Sequence, residues 1–119
     1  MADFNKWTQA HRDWRIRLSD YVGGTSKEKL DALSVGRDDQ CELGKWIQSM
    51  RGQMAGNANF LKLLAAHAEF HRQAAEIVKL ADAGKKDEAQ RLLSPTGAYF
   101  HASNEVIKAL QTCQEKKAA

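Results

Sequence analysis

Residues 60–81 constrain the fold more than any other stretch of this chain. Phe60, Leu64, His67, His71, Ala74, Val78 and Ala81 follow one another at alternating intervals of four and three, the spacing that gathers one face of an α-helix and packs it against neighbouring helices. Two of these inward positions are histidines. An imidazole taken out of water loses hydrogen bonds at both ring nitrogens and must find partners for them inside.

Positions i and i+4 on a helix stand one above the other, with about 5–6 Å between Cβ atoms, close enough for two imidazoles to bind one metal ion. The first segment carries a second instance: Phe4, Trp7, His11, Trp14, Leu18 and Tyr21 make the same stripe with His11 in its middle. A lone histidine on an apolar face is more often a satisfied core residue, and His11 by itself reads that way. The pair is harder to explain so, and three inward histidines call for a common partner. His101 falls two places from Tyr99 on the last stripe, Tyr99, Ser103, Val106, Leu110 and Cys113, and is expected on the surface.

Cys41 is the best candidate for a fourth donor. It lies in RDDQCELGKWIQSM, a short segment with apolar residues of its own at Leu43, Trp46, Ile47 and Met50. An isolated cysteine is usually a small buried hydrophobe; with two inward histidines already defining a site, the ligand reading is preferred. Three imidazoles and a thiolate suit Zn2+, which takes four tetrahedral nitrogen or sulfur ligands, and disfavour magnesium and calcium, although iron, cobalt, nickel or copper accept the same donors. Gly44, without a Cβ, would let this segment approach a neighbouring helix. Trp14 and Trp46 read as core walls that keep water from the site. Asp38, Asp39 and Glu42 read equally as hydrogen-bond partners of the imidazoles and as surface charge.

His11 with Trp14 three places on, then Cys41-Glu42-Leu43-Gly44-Lys45-Trp46, then His67 and His71, closely resemble the chemoreceptor zinc-binding domain family. Its pattern is a histidine followed by an aromatic residue, then Cys-x-Leu-Gly-x-Trp, then His-x-x-x-His. The resemblance covers most of the chain and implies that His11, Cys41, His67 and His71 are the metal ligands within a helical bundle. It further implies a regulatory module attached to chemoreceptors or to cyclic-di-GMP synthesising enzymes, responding to zinc and in some members to oxidants such as hypochlorous acid, and commonly a homodimer.

Everything else in the sequence favours helices. One proline, few β-branched residues and sustained three-four spacing argue against strands. The first helix is expected to start at an Asp3 cap and stop at Gly23-Gly24; a helical turn is expected around Lys27-Glu28-Lys29-Leu30. The Cys41 segment should end near Arg51-Gly52, and the long helix should run from Asn57 or Asn59 to Gly84. A last helix should start near Asp87, be interrupted or kinked around Ser94-Pro95-Thr96-Gly97 and reach about Gln114. The expected architecture is an all-α four-helix bundle with an additional short helix carrying the cysteine, one domain over 119 residues.

The net charge of +3 is spread over interleaved acids and bases, with no basic patch carrying aromatics, so nucleic acid is not an expected partner. No run of 18 apolar residues and no signal-peptide pattern appear, so no membrane insertion is expected and the cytoplasm is the default location. In that setting Cys113 reads as a free thiol at the core edge. Four protein ligands leave a metal no open position, and no phosphate loop, nucleophile motif or inward carboxylate pair suggests catalysis, so an enzyme is not expected. The thiolate is the ligand that oxidation can remove, which makes Cys41 the expected switch and an output domain or partner signalling protein the expected receiver. The chain starts at Met1 without an output domain and reads as a stand-alone sensor or a fragment. The alternatives are a purely structural zinc bundle, a zinc enzyme in which three histidines hold the metal, and a hemerythrin-like di-iron protein, which needs inward carboxylates where Glu69 and Glu76 lie off the stripe.

Overall fold

The computed structural model describes residues 4–25, 29–37, 39 and 41–118, with side chains to Cys113. The elements run α1 (Phe4–Gly23), α2 (Ala32–Val35), α3 (Glu42–Met50), α4 (Ala58–Asp82), α5 (Lys86–Leu93) and α6 (Ala98–Ala118). Among the described residues there is no strand.

The helix ends follow from local chemistry. Gly24 and Gly84 both have positive φ, 81° and 79°, and each closes a helix with the paired amide bonds of a left-handed terminator: Thr25 N–H to the Asp20 carbonyl and Gly24 N–H to that of Tyr21, then Lys85 N–H to Leu80 and Gly84 N–H to Ala81. The expected stops at Gly23-Gly24 and Gly84 are therefore found. Asn57 caps α4, its Oδ1 accepting from Phe60 N–H at 3.1 Å. The expected Asp3 cap lies outside the described residues.

The helical turn expected around Lys27-Glu28-Lys29-Leu30 lies partly outside the described residues, which leave out 26–28; Lys29 and Leu30 are not helical, and a short helix, α2, starts after Asp31, whose carboxylate accepts from the Ser34 N–H and hydroxyl. Cys41 is the N-cap of α3 and not a residue within it. The last helix is interrupted where expected, between α5 and α6; a Cβ at Gly97 would run into the carbonyls of Arg91 and Leu92, so the chain makes this turn only without a side chain there.

Contacts at the two ends give the topology. Trp46 of α3 packs against Phe4 and Trp7 at the start of α1 and against Phe60 at the start of α4. At the opposite end the Tyr21 hydroxyl of α1 donates to Asp82 of α4. Thus α1 and α4 run parallel, α2 and α3 return between them, and α5 and α6 return along the other flank, where Cys113 reaches the Asn59 carbonyl. The result is an up-down-up-down helical bundle whose second and fourth arms are broken.

The α4 stripe is wider than the three-four spacing suggests. Leu63, Phe70 and Ile77 are as fully buried as Phe60, His67 and Val78, because α4 sits against α1, α2, α5 and α6 at once and has two inward faces. No helix among the described residues is long and apolar enough to cross a membrane.

Candidate metal centre

The four residues singled out from the sequence converge at mid-bundle. His11 projects from α1, His67 and His71 from successive turns of α4, and Cys41 from the start of α3; one ligand atom from each lies within 4.8 Å of all the others. The three histidines are only 1–3 % exposed. Cys41 is half-buried.

Backbone carbonyls set the tautomers of two imidazoles. His71 Nδ1 lies 2.9 Å from the Val35 carbonyl oxygen and His11 Nδ1 lies 2.7 Å from that of Trp7. A carbonyl can only accept, so both Nδ1 atoms carry the proton and both Nε2 atoms keep a lone pair. Those lone pairs face the centre. His71 Nε2 stands 3.1 Å from His67 Nε2, and Cys41 Sγ stands 3.3 Å from His67 Nε2 and 3.7 Å from His71 Nε2. Around zinc, bonds of about 2.0–2.1 Å to nitrogen and 2.3 Å to sulfur leave tetrahedral edges of about 3.3 Å between nitrogens and about 3.6 Å between nitrogen and sulfur. These three spacings lie close to those edges, while the His11 ligand atom stands farther out, within 4.8 Å of the others, and would have to close in on a bound ion.

His11 Nε2 is buried and has no hydrogen-bond partner. An orphan of this kind costs about 1–3 kcal/mol, and a cation held by the other three donors would satisfy it. Burial also pushes the imidazoles toward the neutral form that binds metal. Desolvation, followed by the neighbouring His71 and His11, lowers His67 to about 2. Desolvation is the main cause at His11 too, opposed by the Trp7 hydrogen bond and helped by His71, and brings it to about 4. Phe70 seals this side, its ring 4.8 Å from that of His11 and 5.3 Å from that of His71.

Cys41 is bound into its helix by the same sulfur that faces the imidazoles: the Gly44 N–H donates to Sγ at 3.4 Å. The amide of Gly44 thus has a definite role in the site. A cleft of about 450 Å³ lined by Trp14, Arg17, Val35, Arg37, Cys41 and His71 opens this side of the centre.

Other residues fall outside the cluster. His101 is exposed, as expected. Trp14 is half-buried with the Arg17 guanidinium 3.8 Å over its ring, so it borders the cleft and does not close it. Trp46 belongs to the aromatic cluster at the bundle end. Glu42 pairs with Lys6 and Asp39 with Arg37 at the surface; Asp38 lies outside the described residues. Glu69 is tied to Arg72 and Gln73, and the metal-compatible cluster found among the described residues contains no carboxylate, contrary to what a di-iron centre requires. The carbonyls of Trp7 and Val35 left no signal in residue identity, whereas Phe70, three places from His67, could have been found on the second inward face.

A family model for the chemoreceptor zinc-binding domain matches residues 11–78. The match begins at His11, takes in all four clustered residues and covers more than half of the chain. The chain belongs to the chemoreceptor zinc-binding domain family. Comparisons with curated proteins and with solved structures found no match. The cluster of three histidines and a cysteine in this family member is compatible with zinc binding.

Proposed function

We propose that His11, Cys41, His67 and His71 hold one Zn2+ ion, and that the chain is a single regulatory domain reporting the state of that site to an output partner. The observation that carries this reading is the convergence of four soft or borderline donors within 4.8 Å, with His11 Nε2 buried and otherwise unpaired. Bound zinc supplies a cross-link between α1, α3 and α4, of a kind worth on the order of 10 kcal/mol in small domains at neutral pH. With all four positions filled by protein, no place is left for a substrate, so the role is regulatory and not catalytic.

Each side chain has its task. His67 and His71 give a rigid pair from one helix, His11 ties in α1, and Cys41 is the ligand that can be released. Cys41 lines the open cleft beside His71 and is only half-buried where the imidazoles are almost fully buried, so a two-electron oxidant such as hypochlorous acid reaches it first. The thiolate would take up the hydroxyl oxygen to give sulfenic acid, its sulfur losing two electrons and chloride leaving with them. The weakened ligand then frees the start of α3. A homodimer in the cytoplasm, signalling to a receptor or diguanylate cyclase module, is the setting the family resemblance supports.

The test is metal content of the purified chain and its Cys41→Ala variant, followed by a chromogenic zinc-release assay with hypochlorous acid. One zinc per chain, released by oxidant, supports the proposal. Zinc retained after oxidation of Cys41 would leave a structural site only.

A further inference from the structure

The zinc reading leaves one contact without a role: His71 is oriented not by its own helix, as His11 is, but by the carbonyl of Val35 on a different element. Val35 ends α2, and a helix's last carbonyls have no partner within it, so this oxygen is available and carries the negative end of the backbone dipoles. Hydrogen bonds of this kind fix the tautomer of a ligand imidazole and strengthen it as a donor, and their loss typically costs tenfold or more in metal affinity.

The carbonyl reaches His71 because α2 packs directly against α4, and Gly36 makes that approach possible. A Cβ at Gly36 would stand 3.1 Å from Ala75 Cβ and 3.2 Å from the Ala32 carbonyl oxygen, tighter than ordinary contact. Ala75 is one turn from His71 on α4, so pressure at this point bears directly on the distance between Val35 and the imidazole. The Asp31 cap holds the other end of α2, and Leu33, 79 % exposed, stands on its outer side.

We propose that Gly36 is a positioning residue for zinc: by letting α2 dock against Ala75 it places the Val35 carbonyl on His71 Nδ1. The site is then built from a fourth element, and the short helix between the first histidine ligand and the cysteine moves with His71. This inference rests on the four-ligand reading and is tested apart from it.

The experiment compares the unaltered chain with Gly36→Ala, Ala75→Gly and the double variant by competition titration against a zinc chelator, alongside histidine nitrogen-proton NMR. Gly36→Ala should bind one zinc about tenfold more weakly. The His71 Nδ1–H should exchange with water faster while that of His11 is unchanged. Removing the opposing Cβ relieves the contact with Ala75 and leaves that with the Ala32 carbonyl, so the double variant should regain a clear part of the affinity lost in Gly36→Ala. A general loss of stability would disturb His11 and His71 alike and would not be rescued. Normal affinity in Gly36→Ala, equal effects on both histidines, or no rescue overturns the inference while leaving zinc binding intact. An unaltered chain that binds no zinc overturns both.

Discussion

Zinc added to the metal-free protein at about pH 6 can displace only the protons that its ligands still carry. An exposed imidazole is about three-quarters protonated at that pH, so three such histidines and a thiol would release about three protons per zinc. Here His11 is lowered to about 4 and His67 to about 2 by burial, so these two are already neutral and release almost none. Only His71 and Cys41 remain to contribute, which caps the count at about two. Calorimetric titration in two buffers of different ionisation enthalpy gives the number directly, because the heats differ by the protons passed to the buffer. A count of two or fewer supports a preformed, dry site. Three or more would show that the imidazoles are hydrated and charged before zinc arrives, and would refute the burial argument.

The same two shifts make the metal-free protein acid-sensitive. Both are downward, so the unfolded chain takes up protons that the folded chain does not; stability is unaffected above about pH 6.5 and falls as pH drops toward the folded values of about 4 and about 2. At about pH 5.5 the two histidines together should cost about 3 kcal/mol, read from denaturant unfolding with chelator present; equal stability at pH 7.5 and 5.5 would contradict this. Loss of Cys41 should loosen α3, because its sulfur caps that helix as well as facing the imidazoles. In a chain with Trp7 and Trp14 replaced by Phe, Cys41→Ala should shift Trp46 emission to the red, and an unshifted spectrum would mean that α3 is held by its apolar contacts alone. Gly97→Ala should destabilise the fold by about 1–3 kcal/mol by forcing a Cβ into the Arg91 and Leu92 carbonyls; a melting temperature within a degree of the parent would argue against the tight turn between α5 and α6.

The sequence was most informative where burial and chemistry conflict. His67 and His71 on an apolar stripe cannot be explained by packing, and the structure brings them together with Cys41. His11 illustrates the opposite limit: its stripe position showed that it points inward, but only the unpaired Nε2 in the folded chain distinguishes it from a satisfied core residue. Glycines at helix ends were legible because positive φ has few alternatives, as Gly24 and Gly84 confirm. The position of α2 was missed because its cap is a single aspartate and the helix is too short to show periodicity. Cys41 was placed in a helix and caps it, a difference of one residue that local pattern does not resolve. The Val35 and Trp7 carbonyls were invisible, since every residue has one and only tertiary placement gives it a role.

The central claim, a single zinc bound by three imidazoles and one thiolate, is tested most directly by zinc-edge X-ray absorption on the purified chain. The account predicts three nitrogen neighbours at about 2.0–2.1 Å and one sulfur at about 2.3 Å, with the sulfur lost in Cys41→Ala. A shell of nitrogen and oxygen alone in the unaltered chain, or no stoichiometric zinc at all, would contradict it.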